Sequence, residues 1–129
     1  MDSLTPIKAA DHYALICKAA KAIHTKAAEE LSVKHIIQKC GEGKAFAFTS
    51  KQSDTLVILE PIADEQITVN VWIAYSEQGN AIKRYEQEIE RLARLIGAKR
   101  LTFGSKRKGY KRAMPHWASN KNQYERHLT

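Results

Sequence analysis

The most concentrated group of chemistry-bearing residues in this sequence is basic and lies near the C-terminal end: Lys106, Arg107, Lys108, Lys111 and Arg112. Residues 97–129 contain 9 lysines and arginines but one acidic residue, whereas residues 1–96 contain 12 basic and 13 acidic residues. The formal net charge of +7 therefore comes from the C-terminal part of the chain. Such an asymmetry is typical of an anionic partner, which could be nucleic acid, phosphate or an acidic protein surface. A solvated face is the alternative, and a contact surface is about as plausible because balancing acids are absent.

The cysteines and histidines show no spacing typical of a disulfide framework or a metal site. Cys17 and Cys40 lack any Cys-x-x-Cys or Cys/His spacing, and we interpret them as reduced, buried thiols. No two histidines are four residues apart, the helical spacing that directs two imidazoles to one metal ion. The five histidines are His12, His24, His35, His116 and His127. We therefore expect no zinc site.

The length and composition are typical of one globular domain that spans residues 1–129. No segment approaches the roughly 20 consecutive apolar residues that a membrane span requires. Residues 1–6 also lack the basic region and apolar run of a secretory signal. We therefore expect a soluble, intracellular domain without a membrane partner.

Helical periodicity predicts three main helices. Residues 9–31 are rich in Ala, Lys and Glu with apolar residues three and four positions apart, and residues 32–37 predict a short second helix that ends before the glycines at 41 and 43. The clearest helix covers residues 79–96 and ends at Gly97. The residues expected to face the core from that helix are Ile82, Ile89, Leu92 and Ile96.

Period-two and short apolar patterns predict strands at residues 45–48, 55–59 and 67–75. Their short polar connections predict an antiparallel meander. Residues 100–104 form a strand entered directly from the third helix, and this crossover requires parallel pairing with the strand that ends at Tyr75. A short helix at 106–114 and a final edge strand at 123–128 complete the predicted mixed sheet.

Four segments in the C-terminal half add sequence detail to this order of elements: Ile89–Arg94, Gly97–Leu101, Ser105–Arg112 and Tyr124–Leu128. Together they resemble the GNAT fold of acetyl-coenzyme-A-dependent N-acyltransferases, in particular the GNAT-like proteins encoded by tailed bacteriophages. The resemblance covers roughly residues 66–129. It implies an α+β fold of three layers, in which a mixed, mostly antiparallel, twisted sheet is flanked by helices.

The resemblance also implies a position for a coenzyme site. In enzymatic members, the turn after the fourth strand carries an Arg/Gln-x-x-Gly-x-Gly/Ala signature, and its amides and the following helix N-terminus bind the coenzyme A pyrophosphate. Here that stretch is residues 75–82, which implies a vestigial coenzyme-binding set of Ser76, Gln78, Gly79 and Asn80. The second glycine is missing and the spacing differs. Glu77 also places negative charge where a pyrophosphate would approach, unless its side chain turns away.

Acyl transfer on this fold would further require groups that move protons, commonly a Glu on a central strand and a Tyr beyond the fifth strand. Glu60, Tyr75 and Tyr110 are the candidates, but none lies in a motif that singles it out, and Glu60-Pro61 is typical of a strand end. The sequence therefore predicts no catalytic residue and no cofactor, with acetyl-CoA as the cofactor if the protein is an enzyme.

Our interpretation from sequence is a phage-encoded, GNAT-like protein that serves as a non-catalytic structural or interaction component of the virion or its assembly. This predicts other phage structural proteins as partners, an oligomer within an assembly, and a location in the infected cell's cytoplasm and then in the virion. One alternative is an active N-acetyltransferase. Another is a nucleic-acid-binding protein that uses the basic C-terminal segment on phosphates without sequence specificity.

Overall fold

A computed structural model describes residues 3–27, 32–52, 54–105 and 110–128, except for the side chains of residues 25–27 and 111. The first predicted helix begins as a 3-10 turn, Ala9–His12, and continues as an α-helix. The helices are α1 (Tyr13–Ala27), α2 (Val33–Gly41), α3 (Ala81–Leu95) and α4 (Tyr110–Ala113). The strands are β1 (Thr5–Ile7), β2 (Phe46–Thr49), β3 (Thr55–Ala63), β4 (Ile67–Ser76), β5 (Arg100–Gly104), β6 (Ala118–Asn120) and β7 (Gln123–His127).

The strands form one sheet in the order β1-β2-β3-β4-β5-β7-β6. All neighbouring strands are antiparallel except β4 and β5, which are parallel. The predicted meander of β2, β3 and β4 is therefore confirmed, as is the parallel crossover through α3. The parallel pair places the end of β4 and the start of α3 at the same end of these two central strands, where the candidate site lies.

Apolar side chains cover both faces of the sheet. On one face, Ile89 of α3 packs in a cluster with Val69 and Leu101. On the other face, Ile16 of α1 and Ile36 of α2 pack in a second cluster. Each of these residues is at most 1% exposed. The sheet is therefore the middle of three layers.

The end of α3 confirms the predicted role of Gly97. Its φ of 80° lies in the left-handed region, which glycine adopts without steric cost. The Gly97 amide donates to the Arg94 carbonyl at 3.0 Å, and the Ala98 amide donates to the Ala93 carbonyl at 3.0 Å. This is the Schellman arrangement, and it turns the chain directly into β5.

Two strands contain a proline, and both differ from the prediction. β1, with Pro6, was not predicted because three residues at a sheet edge give too little pattern. β3 was predicted to end at Leu59 but continues through Pro61 to Ala63. Pro61 is tolerated because β2 pairs only with residues 56–59 of β3, so the backbone at Pro61 has a free edge on that side.

The prediction that the final strand lies at the edge is wrong. β7 lies between β5 and β6 and pairs with both, so the edge strand is β6. The sequence pattern did not predict β6, because all three of its residues are exposed and show no alternation of buried and exposed positions.

The prediction for the buried face of α3 is correct except at its C-terminal end. Ile82 and Ile89 are buried, and Leu92 is half-buried against the same cluster. Ile96, however, is 43% exposed. It is the C-cap residue, where the backbone leaves the helical path, so the helical periodicity no longer applies to its side chain.

Candidate functional site

A cleft opens where β4 and β5 separate. The described backbone pairs these strands only over Thr68–Asn70 and Arg100–Thr102, although β4 continues to Ser76. The cause is a bulge in β4. Ile73 and Val71 pair with consecutive residues of β3, so Trp72 between them has no partner there. A bulge bends and twists its strand, which here carries the second half of β4 away from β5.

The bulge also exchanges the two faces of β4. Val69 and Val71 pack in the cluster on the α3 face, whereas Ile73 packs in the cluster on the α1–α2 face. The cleft is consequently lined from both faces of the sheet. Its lining residues are Ala22, Ile23, Val71, Trp72, Ala74, Tyr75, Ser76, Gly79, Asn80, Ala81, Ile82, Phe103, Gly104, Ser105 and Tyr110. The cavity volume of the cleft is about 70 Å³.

The turn between β4 and α3 contains the four residues predicted from the family resemblance, and three of them line the cleft: Ser76, Gly79 and Asn80. Gly79 has a φ of 78°. Nothing lies within 4 Å of the position a Cβ would take there, so backbone strain rather than space favours glycine. The Gly79 amide donates to the Ser76 carbonyl at 2.9 Å, which closes the turn.

α3 begins at this turn without a side-chain cap among the described residues. Asn80, the N-cap residue, has a left-handed φ of 54°, and its carbonyl accepts the first intrahelical bond from the Arg84 amide at 2.8 Å. The amides of Ala81 and Ile82 precede that bond, and both residues line the cleft. Uncapped amides and the helix dipole together favour an anion at this position.

The charged side chains around the turn do not leave a bare carboxylate facing the cleft. Glu77 turns toward α1 and forms an ion pair with Lys18. Gln78 is exposed, and its side-chain oxygen accepts a hydrogen bond from Arg84. The negative charge that the sequence placed beside the turn is therefore balanced by a cation from another element.

Of the three predicted proton-transfer candidates, Tyr75 and Tyr110 line the cleft, whereas Glu60 is not among its lining residues. Tyr110, at the start of α4, lies edge-on to Phe103 with ring centroids 5.1 Å apart. Phe103 in turn stacks on Tyr124 of β7 at 4.5 Å. The aromatic contacts hold the half-buried Tyr110 ring at the wall of the cleft.

Glu60 belongs to a row of polar side chains that crosses three strands. The Asn70 side-chain amide donates to Glu60 Oε1 at 3.0 Å, and the Thr102 hydroxyl donates to Asn70 Oδ1 at 3.0 Å. Asn70 and Thr102 are also the last residues paired between β4 and β5. The row therefore lies where β4 and β5 stop pairing, next to the cleft lining, and Glu60 is fixed within a continuous strand rather than at a strand end.

Away from the cleft, Glu86 of α3 joins three groups from the C-terminal part of the chain. Its Oε2 accepts hydrogen bonds from Trp117 Nε1 at 3.1 Å and from Arg126 Nη1 at 2.5 Å, and it lies 2.6 Å from His116 Nε2. Arg126 also forms an ion pair with Glu90. Glu90 also forms an ion pair with Arg94, one turn further along α3, at 3.6 Å.

The basic residues predicted to form an interaction surface lie mostly outside the described part of the chain. Lys106, Arg107 and Lys108 are among residues 106–109, and only the backbone of Lys111 is described. Arg112 lies on α4 and is exposed. The interaction surface therefore stays a prediction.

Two further observations concern only the described residues. No group of three or more His, Cys, Asp or Glu side chains there could hold a metal ion, and no helix there is long and apolar enough to cross a bilayer. Cys17 and Cys40 are free thiols, but both are half-buried rather than buried as predicted.

Sequence reasoning missed three residues of this site, namely Lys18, Trp72 and Ala81. Ala81 follows Gly79 by two positions, is 4% exposed and starts α3, so it can serve as the second small residue of the turn. The Gly-x-Ala spacing was therefore a usable signal. Trp72 and Lys18 gave none, because a bulge depends on the partner strand and the Lys18–Glu77 pair joins residues 59 positions apart.

No protein-family model matches the sequence, and no curated protein matches it. Several solved structures nevertheless align over nearly the whole chain. A chain of the NatC complex, crystallised with a Gag peptide and CoA, aligns with TM-score 0.67 and 10% identity and covers 99% of both chains. A GNAT-family acetyltransferase from Listeria monocytogenes aligns with TM-score 0.64 and 12% identity over 97% of this chain and 95% of that one. An acetyltransferase from Thermus thermophilus aligns with TM-score 0.62 and 14% identity over 99% and 97%.

These likenesses show that the chain has the GNAT fold, as predicted: an α+β architecture with a mixed sheet flanked by helices. Identities of 10–14% establish the fold alone. A bacteriophage origin and a place in a virion stay predictions from the sequence.

Proposed function

We propose that this protein binds a coenzyme A thioester in the cleft between β4 and β5 and transfers its acyl group to an amine. One observation carries the proposal: the cleft begins at the bulge residue Trp72 and ends at the uncapped N-terminus of α3. Apolar walls with a few polar groups at one end are typical of cofactor clefts. The GNAT fold supports the same activity by analogy.

The end of the cleft at α3 fits a pyrophosphate group. The amides of Ala81 and Ile82 offer donors, and a helix of 15 residues has its positive dipole end here. Gly79 and Ala81 are small enough to let an anion approach the backbone, and Lys18 balances the charge of Glu77. These residues would hold the pyrophosphate, while the thioester would supply an activated acyl group with a good leaving group.

Tyr110 is our candidate for the residue that donates a proton to the departing sulfur. It lines the cleft, and its ring is positioned by Phe103 and by Tyr124, whose centroid is 5.9 Å away. A phenol hydroxyl positioned in this way can act as a general acid. Tyr110→Phe removes only the hydroxyl, so we expect it to lower kcat while leaving CoA affinity nearly unchanged.

Calorimetric titration with CoA and with acetyl-CoA tests the binding step, and Asn80→Asp is the informative variant. Aspartate tolerates the left-handed backbone and favours a helix N-terminus, so the variant should fold normally. Its added negative charge at the end of the cleft should weaken CoA binding. Asn120→Asp, on the exposed strand β6, adds the same charge away from the cleft and is the matched control.

The proposal requires that the unmodified protein binds CoA, that Asn80→Asp binds it more weakly, and that Asn120→Asp binds it normally. A ligand at 100 times its Kd stabilises the folded state by about 2.7 kcal/mol, so a thermal shift provides an independent readout. No heat and no shift at millimolar CoA would overturn the proposal.

The non-catalytic interpretation from sequence stays the second hypothesis. Exposed cations near the C-terminal end, including Arg112, Lys99 and Lys121, favour an acidic partner. The non-catalytic hypothesis predicts phage structural proteins as partners and a location in the infected cell and the virion. Its nucleic-acid form predicts contacts between these cations and phosphates. Failure of CoA binding together with retention on a phage assembly would favour this hypothesis.

A further inference from the structure

An ammonium group lies beside the cleft, on the face of the sheet that carries α1 and α2. It belongs to Lys39 of α2, which forms an ion pair with Glu60. The same Nζ lies 4.7 Å from the ring centroid of Trp72, the bulge residue that lines the cleft. The side chains of Lys39 and Glu60 are 28% and 13% exposed, so the pair is largely withdrawn from solvent.

The carboxylate that holds this ammonium is fixed from its other side. Asn70 donates to Glu60 Oε1, while Glu60 Oε2 contacts Lys39, so both carboxylate oxygens are engaged. Asn70 is in turn held by Thr102, its neighbour in the last pair before the strands separate. The polar row therefore holds a lysine amine and a carboxylate together beside the point where β4 and β5 stop pairing, and Trp72 joins this pair to the cleft wall.

We propose that Lys39 is a self-acylation site, whose amine accepts the acyl group of a thioester bound in the cleft. The inference rests on the proposed function, because that function supplies the thioester. Its own support is independent: an amine on the ring of the bulge residue, next to a carboxylate that can take a proton. Such proximity turns acylation into an intramolecular step.

Acylation of Lys39 exchanges a C–S bond for a C–N bond and removes two protons from the nitrogen. The Lys39 ammonium gives one proton to Glu60, and the neutral amine attacks the thioester carbonyl carbon. The new C–N bond forms as the C–S bond breaks, and the sulfur leaves as a thiol after taking a proton that Tyr110 on the cleft wall donates and then regains from solvent. The nitrogen loses its second proton to solvent, which leaves a neutral amide at Lys39 and free CoA thiol.

The neighbouring Cys40 is a weaker nucleophile. Burial raises the pKa of its thiol, and the charge of Glu60 raises it further. The thiolate, not the thiol, is reactive, so a raised pKa disfavours entry of the acyl group through sulfur. We therefore expect direct transfer to the Lys39 amine, and Cys40→Ser should be acylated at Lys39 as fast as the unmodified chain.

The experiment is to incubate the purified full-length chain with acetyl-CoA and to follow acetylation of each lysine by peptide-resolved mass spectrometry. Lys44 is the internal reference, because its side chain is 66% exposed and reports acetylation by simple collision. We expect Lys39 to be modified at least about tenfold faster than Lys44. CoA binding is measured by calorimetry on the same samples.

Three variants assign the reaction to the site. Glu60→Gln cannot take a proton and should slow acetylation of Lys39 without abolishing CoA binding. Asn80→Asp should slow it through weaker binding at the other end of the cleft. Lys39→Arg keeps the positive charge and should remove the fast phase while Lys44 reacts as before.

CoA binding without faster modification of Lys39 would overturn the inference and leave the proposed function standing. Fast modification that Glu60→Gln and Asn80→Asp leave unchanged would identify ordinary chemical acetylation and also overturn it. Loss of the fast phase in Cys40→Ser would replace the direct step by a thioester relay. Absence of CoA binding would overturn both proposals.

Discussion

The ammonium group of Lys18 on α1 donates a hydrogen bond to the carboxylate of Glu77, in the turn that leads into α3. The hydrogen bond raises the pKa of Lys18, and the charge of Glu77 raises it further. Through this contact, α1 balances a negative charge at the end of the cleft where a pyrophosphate would bind. The carboxylate of Glu77 is therefore compatible with an anion site only while it is paired with Lys18.

We accordingly expect Lys18→Met to weaken CoA binding several-fold, because it leaves the Glu77 charge unbalanced. Glu77→Gln should bind at least as well as the unmodified protein, and the double variant should recover most of the loss. Titration calorimetry at low and high salt measures this, and the differences should shrink as salt screens the exposed charges. Equal losses in Lys18→Met and in the double variant would show that Lys18 acts without Glu77.

A second prediction concerns acid stability. The Ser50 hydroxyl, followed by the Thr55 hydroxyl, lowers the pKa of Asp54 by hydrogen bonding to its carboxylate, and Arg84 adds a smaller effect through its charge. A folded-state pKa below the ordinary value of about 3.9 stabilises the protein above that pH, and the contribution is lost as pH falls through the folded-state pKa.

Asp54→Asn should therefore cost stability at pH 7 and cost less as the pH is lowered below about 4. Urea unfolding at a series of pH values measures the difference. Asp64→Asn, at an exposed position in the hairpin between β3 and β4, is the matched control for the loss of one carboxylate. A pH-independent cost for Asp54→Asn would mean that the carboxylate charge has no role there.

Local patterns were enough to predict most of the fold. The meander follows from three apolar runs with short polar connections, and the parallel pair follows from a helix that ends at Gly97 and enters β5 at once. Each of these signals comes from short segments that follow one another in the sequence, the scale on which periodicity operates. The strands that were missed, β1 and β6, have three residues each and show no alternation. β7 was predicted but misplaced at the edge, because the missed β6 pairs beyond it.

The site was less predictable because its shape depends on distant pairs. Trp72 reads as an ordinary strand residue, and only its register against β3 makes it a bulge. Glu60 looked like a strand end because of Pro61, and only the shortness of β2 explains why the strand continues. Such features arise from tertiary pairing, which a single sequence does not display.

The core assignments predict a graded series of stabilities along α3. Replacing Ile89, which is 1% exposed, by alanine should lower the free energy of unfolding by about 2–5 kcal/mol. The same substitution at the half-buried Leu92 should lower the free energy of unfolding by less. At Ile96, which is 43% exposed, it should change the free energy of unfolding by no more than about 0.5 kcal/mol. Urea unfolding measures all three. A large cost at Ile96 would show that the end of α3 is covered in solution.

The contacts of Glu86 predict a further effect on stability. Its side chain is only 14% exposed, and three groups share its Oε2. Glu86→Ala leaves the Trp117 and Arg126 donors without this acceptor and should cost about 1–3 kcal/mol. Gln87→Ala, at the exposed neighbouring position, should be nearly neutral. Similar unfolding midpoints for the two variants would contradict a structural role for the Glu86 contacts.

The last prediction concerns the basic segment. If the basic residues at 106–108, 111 and 112 form an interaction surface, replacing Arg107, Lys111 and Arg112 together by neutral residues should leave the unfolding midpoint nearly unchanged, because charges on a surface contribute little to stability. Association should weaken. With DNA, the slope of log K against log salt should fall by about one unit per phosphate contact removed; with a protein partner, the association rate should fall. Unchanged behaviour in DNA binding and partner pull-down would leave the segment a solvated face.

The position of β7 between β5 and β6 has a consequence for synthesis of the chain. β5 is made well before β7, so its edge stays open on the nascent polypeptide until residues 123–127 leave the ribosome. An unpaired edge can recruit other strands, which makes the growing chain prone to aggregation at this stage. β6 and β7 form an antiparallel hairpin, so they can close that edge together once both have left the ribosome.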